Sequence, residues 1–314
     1  MSKAGETPST RSAALAEGRQ VDAPMRRRRW NWAPWLIAGP ALVVFIVFFA
    51  VPLLVMLANS FQKIDVVTYQ TIDYFTFYQY GRFLFDEYYL SVLVRTLRIG
   101  AIATLACVIA GYPVAIYLTK AGPRERELLT LVILSPLLVS VVVLAFGWMI
   151  VVAPTGLINF VLKALGIIDA PLKLKFSEGS VIAGLAHVYF PFVALAIFNS
   201  LQNIDPQIVR AARVLGAGPV RIFWSITFPL SIPGAVAGSL IVFALCISSF
   251  VVPMFLGGSW IKVVAYHIWE QNMILIDWSF GAAISVILLV VTGSIMLGYN
   301  HLVERRLFAG VFNR

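Results

Sequence analysis

The chain has 314 residues, 60% of them apolar and only 12% charged, with 24 Lys and Arg against 15 Asp and Glu for a net charge of +9. Apolar runs far longer than a soluble core helix requires exclude an ordinary water-soluble domain and indicate an integral membrane protein. The two cysteines fall inside such runs and form no paired-cysteine motif, so they read as inert packing rather than zinc or redox chemistry.

The first 24 residues are rich in Ala, Ser, Gly, Glu and Arg without periodicity, and residues 1–33 are expected to form a largely disordered, basic cytoplasmic tail. Arg26, Arg27, Arg28 and Arg29, followed by Trp30 and Trp32, have the look of a signal-peptide n-region. The apolar run behind them is too long and lacks a small-residue cleavage site, so it is expected to stay as a span with an interfacial anchor. A helix crosses ~30 Å of hydrocarbon in about 20 residues, with every backbone polar group satisfied internally. Six runs qualify: 34–58, 91–118, 128–152, 181–201, 232–256 and 280–303. They do not alternate as β-barrel strands would. The expectation is an all-α membrane domain of six transmembrane helices over 34–303, with a short C-terminus at 304–314.

Lys and Arg resist translocation and collect on the cytoplasmic side. With both termini inside, sixteen basic residues lie in the tail, the two inner loops and the C-terminus, including Lys120, Arg124, Arg126, Arg210, Arg213 and Arg221. Six lie outside: Lys63, Arg82, Lys163, Lys173, Lys175 and Lys262, with Arg95 and Arg98 at the outer end of the second span. Both termini are therefore expected to be cytoplasmic. The net charge reads as topology and attraction to anionic lipid, with no nucleic-acid partner.

The outer stretch 69–89 holds ten aromatic residues beside Asp73, Asp86 and Glu87, and reads as an interfacial belt and docking surface or as a cage for a cation. The outer loops together carry eight acids, Asp65, Asp73, Asp86, Glu87, Asp169, Glu178, Glu270 and Asp277, against those six bases. Such a mouth suits a cationic solute without identifying one. Polar side chains within the spans are few, and helix packing is the plain reading of each. Trp148, Ser248 and Ser249 are the candidates for a translocation path, being near prolines or glycines that could open a helix. The Trp148 face could hold an organic cation with ~0.5 to 2 kcal/mol of cation–π attraction. His187, His267 and His301 are scattered with no i, i+4 partner, which gives no metal site, and His187 reads as a hydrogen-bonded structural residue.

Absences narrow the mechanism. No G-x-x-x-x-G-K-[ST] occurs and Gly216-Ala217-Gly218 is no dinucleotide loop, so nothing here points to ATP hydrolysis, a cofactor or an enzyme. No Asp or Glu lies inside the six runs, which argues against an ion-coupled carrier, since such carriers need intramembrane carboxylates.

Between the fourth and fifth runs the chain turns amphiphilic. Asp205 is a good N-cap and Pro206 suits the first helical position. Ile208, Ala211, Ala212 and Leu215 recur at helical spacing beside Arg210 and Arg213, and Gly216 can close the helix in the left-handed conformation. Gly218-Pro219 opens a second helix that leads toward Pro229. The segment reads as a docking helix on the cytoplasmic face or as an ordinary interfacial loop.

Arg210-Ala211-Ala212-x-x-x-Gly216, nine residues, then Ile226-x-Phe228-Pro229 resembles the EAA signature, E-A-A-x-x-x-G-x9-I-x-L-P, of binding-protein-dependent ABC importer permeases of type I. Arg210 stands where glutamate is usual and Phe228 where leucine is usual. The likeness extends over about residues 75–305 and is nearest the spermidine/putrescine permease branch, through Arg95-Thr96-Leu97, Gly111-Tyr112-Pro113, Gly156-Leu157-Ile158-Asn159 and Phe250-Val251-Val252-Pro253 to Gly257-Gly258. Related permeases carry opines, iron, thiamine or sulfate.

The resemblance implies a multi-pass subunit of a bacterial inner membrane, with segment 205–229 as a cytoplasmic coupling element. Its partners would be a cytoplasmic ABC ATPase dimer, a second permease that is a homologue or a copy, and an extracytoplasmic solute-binding protein. Arg210, Ala211, Ala212, Gly216 and Pro229 would couple ATPase closure to alternating access. An autonomous secondary carrier and a membrane scaffold with no solute are the rivals from other classes.

Overall fold

A chain this apolar satisfies its backbone in lipid by forming long helices, and where a helix stops the freed groups need named partners. The structure, a computed structural model, describes residues 33–64 and 71–303. The expected basic tail before residue 33, the four-arginine run, Asp65, Tyr69 and the C-terminus from residue 304 lie outside the described residues. The chain divides into two units, 1–52 and 53–314. The first holds α1 (Ala33–Phe45) and a π turn (Ile46–Ala50), and the helix α2 (Val51–Ser60) that follows belongs mostly to the second. Ala38–Ser60 is long and apolar enough to cross a membrane.

In the second unit β1 (Lys63–Ile64) pairs antiparallel with β2 (Thr71–Asp73), a small hairpin the apolar pattern did not suggest. The helices follow as α3 (Tyr78–Leu84), α4 (Glu87–Lys120), α5 (Pro123–Leu138), α6 (Val141–Val151), α7 (Leu157–Ala164) and α8 (Glu178–Gln202). The short α9 (Pro206–Val214) and α10 (Pro219–Ile222) precede a second π turn (Phe223–Thr227). Then come α11 (Phe228–Ser248), α12 (Val251–Gly257), α13 (Val264–Met273) and α14 (Trp278–Val303).

Helices α4, α8 and α11 form the core, with Ala103, Leu185, Val193, Ala194, Ile197 and Val242 fully buried between them. Small residues let the backbones approach: a Cβ on Gly238 would lie 3.0 Å from the Val193 Cα, and one on Gly111 would lie 3.1 Å from the other side of Val193. A second cluster joins Phe83, Val92, Ile247, Phe280 and Ile284 from α3, α4, α11 and α14.

Two expected spans take a different form. The run 128–152 is a bent pair, α5 and α6, meeting at 97°. Pro136 has no N–H for the Val132 carbonyl, which accepts instead from the Ser135 hydroxyl at 2.7 Å, and Val139 and Ser140 then turn extended. The run 232–256 is also not one helix. The fifth helix begins at Pro219 and ends at Ser248, Ser249 is extended, and α12 is a separate piece. Among the described residues five helices, or six counting the bent pair as one span, are long and apolar enough to cross a membrane.

The end of the molecule bearing the hairpin and α13 is laced by charge. Asp277 caps α14 by accepting the Phe280 N–H at 3.1 Å and pairs with Arg82 at 2.9 Å, while the Arg82 guanidinium lies 4.0 Å over the Phe280 ring. Arg98 reaches both oxygens of Glu178 at 2.6 and 2.7 Å, joining α4 to the first turn of α8. Lys262 pairs with Glu270 at 2.9 Å and Asp86 caps α4. Glu178, Glu270, Asp277 and Asp86, half of the acids expected around a cation-attracting mouth, thus take part in ion pairs or helix caps.

Candidate coupling segment and translocation path

The segment 205–229 folds as its local chemistry dictates. The Asp205 carboxylate accepts the Gln207 N–H at 2.8 Å and Pro206 occupies the first turn, where no N–H partner is missed. At the other end Gly216, at φ +83°, sends its N–H to the Arg213 carbonyl at 2.9 Å, and the Ala217 N–H reaches the Ala212 carbonyl at 3.0 Å. This pair of bonds is a Schellman closure, which uses two carbonyls that would otherwise be orphaned.

No residue of α9 is buried. Val209 and Ala212 are partly covered, whereas Arg210, Ala211 and Gly216 are exposed, and Val214 and Leu215 are 87% and 86% exposed. Of the expected stripe, only Ala212 turns toward the protein. Ile208, Ala211 and Leu215 face outward with the arginines.

Beyond Gly218 the chain re-enters helix and buries Ile222. The second π turn ends two residues before Pro229, as the first ends two residues before Pro52. A proline ring collides with the carbonyl four residues back, here Ser225 and Phe48, and a widened turn relieves that collision without ending the helix.

Pro229 itself is exposed, but Ser231 just after it is fully buried. The Ser231 hydroxyl donates to the Phe228 carbonyl at 2.9 Å and lies 3.1 Å from the Tyr112 hydroxyl, which is placed to donate to it. The Tyr112 ring meets Phe223 and Phe228 at 6.0 and 5.4 Å. The proline turn is thereby clamped to α4. Sequence reading had singled out Gly111-Tyr112-Pro113 but not Ser231, because nothing local announces a contact across 119 positions. Beside the clamp, α4, α11 and α14 border a largely apolar cavity of about 600 Å³, lined among others by Thr104, Tyr112, Phe228, Phe243 and Tyr299.

Of the path candidates, Trp148 lies on α6 beyond the bend and donates its Nε1–H to His187 Nδ1 at 3.0 Å, giving His187 the hydrogen bond expected of it. Ser248 is exposed at the end of α11, its hydroxyl on the Leu245 carbonyl at 3.2 Å, and Ser249 is buried in the break. The structure does not join Trp148 to either serine by a hydrogen bond. It does bring the pieces after each break together, through Phe146 of α6 and Phe255 of α12 with ring centroids 4.5 Å apart.

Other motif residues prove to be joints. The Thr96 hydroxyl accepts the Val264 N–H at 3.0 Å, satisfying the start of α13. Asn159 receives the Leu172 N–H at 2.8 Å and donates to the Leu172 and Ala153 carbonyls at 3.1 Å, which orders the loop after α7. On α13 the buried His267 receives or gives a hydrogen bond to Tyr88 at 3.1 Å and brings Nδ1 within 2.9 Å of Glu270, off the angle of a hydrogen bond. Burial pushes its pKa below the usual histidine value and Lys262 pushes the same way, against the pull of Glu270. Burial opposes the charge on Lys262, but its bond to Glu270 outweighs this and its pKa is raised.

Broken spans around a packed helical core, with an exposed capped helix between them in the chain, fit the membrane subunit of a type I ABC importer, the class that the family match shows. Residues 108–309 match the family described as "Binding-protein-dependent transport system inner membrane component", and the chain belongs to that family. It is 34% identical over 254 residues to the spermidine/putrescine transport system permease protein PotB of Escherichia coli, covering 81% of this chain and 92% of that one. The PotB of Haemophilus influenzae is 31% identical, over 83% of this chain and 92% of that one. Among solved structures, a chain of a bacterial alginate ABC transporter superposes with a TM-score of 0.71 at 17% identity, covering 87% of this chain and 94% of that one. A chain of the MetNI methionine ABC transporter gives 0.52 at 18% identity, covering 70% and 98%.

Proposed function

We propose that this permease subunit imports a polyamine such as spermidine or putrescine by alternating access, driven by a separate cytoplasmic ATPase that docks on α9. The observation that carries the docking is the outward face of α9: a helix locked at both ends that buries none of its residues. A capped helix whose exposed apolar side chains find no cover among the described residues is suited to a partner surface. The polyamine assignment is supported by the identity to the PotB permeases.

In this reading Arg210, Ala211 and Gly216 meet the ATPase, Ala212 behind them seats α9 against its own chain as part of the coupling, and Pro229 with its π turn passes the motion to α11. Tyr112 and Ser231 carry it on to α4. The solute passes along the breaks at residues 139–140 and 249–250, with Ser248 and Ser249 at one break and Trp148 beyond the other. A second permease completes the path, and a binding protein delivers the solute at the end bearing the hairpin. Both termini lie in the cytoplasm, and the domain spans 34–303.

The test is reconstitution of the chain with its ATPase, companion permease and binding protein, followed by labelled spermidine uptake. Gly216→Glu and Ala212→Asp are each expected to insert normally and to lose uptake and ATPase retention at least ~tenfold. Normal uptake and retention in both would refute the docking role. Uptake by the chain alone, down an ion gradient, would establish a secondary carrier instead. Failure of every polyamine to bind the binding protein would remove the substrate assignment.

A further inference from the structure

The face that α9 presents carries a sign as well as a shape. Arg210, Arg213 and Arg221 all stand exposed on segment 205–229, and none pairs with an acid among the described residues. Among the described residues Arg210 is held only through its Nε, at 3.4 Å from the Pro206 carbonyl, and both terminal nitrogens of the guanidinium have no partner there. The one acid of the segment, Asp205, is engaged in capping the helix. Arg210 and Arg213 are three residues apart and therefore neighbours on the helix surface, where like charges disfavour the free helix. An opposite charge on a partner offsets that cost. Val214 and Leu215 lie beside them, almost wholly exposed.

We infer that the groove receiving α9 on the ATPase is acidic where it meets Arg210, with Arg213 and Arg221 extending the contact and Val214 and Leu215 filling an apolar floor. The inference rests on the docking reading above and adds the sign and place of the partner's charge. A guanidinium and a carboxylate match as two parallel N–H···O bonds, so the pair fixes orientation as well as attraction. The same arrangement discriminates between ATPases. A groove shaped for glutamate, the usual residue at this position, would place a basic group against Arg210, and like charges meeting in a desolvated contact reject the wrong partner.

The experiment uses the assembled complex in nanodiscs, reading co-purified ATPase and solute-stimulated ATP hydrolysis at low and high salt. Arg210→Glu is expected to lower both by about tenfold or more and Arg210→Lys by less, because lysine keeps the charge but loses the paired bonds, with wild-type retention weakening as salt rises. Reversing one acid of the ATPase groove to arginine is expected to restore the Arg210→Glu complex. Gly216→Glu serves as the docking control. If Arg210→Glu behaves as wild type while Gly216→Glu is uncoupled, docking stands and the acidic groove is wrong. If Arg210→Glu fails and no reversal of a groove acid rescues it, the acidic groove is wrong as well. Wild-type behaviour in both variants would overturn the docking reading itself.

Discussion

Gly216 and His267 show how single residues set local behaviour at the two ends of the molecule. A Cβ at Gly216 would meet open space, so the whole cost of Gly216→Ala is backbone strain at φ +83°, about 1 kcal/mol. That variant should fray the last turn of α9, seen as faster amide exchange at Gly216 and Ala217, while the melting of the spans stays unchanged. A fall in the global melting temperature would show that α9 is tied to the core more tightly than its exposure implies. His267 acts through pH. Its folded pKa lies below the ordinary 6.5, so the folded chain binds the proton less well than the unfolded chain. The stability it supports is complete above that value and declines as pH falls below it. The groups facing it are Glu270, Lys262, Tyr88, Tyr89 and Tyr266, and Lys262, with its raised pKa, stays charged throughout this window. His267→Gln should therefore flatten the loss of thermal stability between about pH 7 and 5.5. Parallel pH profiles for variant and wild type would contradict the assignment.

At the scale of elements, the core depends on how closely α8 and α11 approach. Gly238→Val would drive a branched side chain into the Val193 backbone and Ala196, an overpacking that costs about 1–3 kcal/mol. Gly147 on α6 has nothing within 4 Å of a Cβ, so Gly147→Ala is the control and should be neutral or slightly stabilising. Thermal unfolding of both in one detergent separates them, and equal melting would mean that α8 and α11 do not pack as described. What the sequence disclosed follows the same division between local and distant. The start and end of α9 were legible because Asp205, Pro206 and Gly216 act within a turn of themselves. The bend at residues 139–140 was not, since Val139 and Ser140 sit in an unbroken apolar run and the signal is one proline whose lost bond Ser135 replaces. The helix start at Gly218-Pro219 was legible, but not its continuation into the fifth span, because Pro229 reads as a stop and only the π turn before it lets the helix continue. Tyr112–Ser231 and Thr96–Val264 were invisible as pairs, because each depends on helices already packed.

For the molecule as a whole, sidedness is what joins the charge distribution to the proposed work of the two ends. In the proposed orientation, which rests on the positive-inside argument, α9 would lie on the cytoplasmic side and the aromatic hairpin end opposite. Both native cysteines are buried, Cys107 at 1% and Cys246 at 4% exposure, so single-cysteine labelling needs no background removed. Val214→Cys, at a site 87% exposed, should resist a membrane-impermeant maleimide in intact cells and react once the membrane is opened. Tyr74→Cys, at a site 79% exposed beside β2, should react in intact cells. The reverse pattern would invert the protein in the membrane and put α9 beyond reach of any cytoplasmic ATPase. A further comparison tests docking without any transported solute: Val214→Cys should be protected in the assembled complex and labelled in the chain alone. Equal labelling in both states would mean that the exposed face of α9 stays uncovered, and the coupling proposal would fail whatever the substrate.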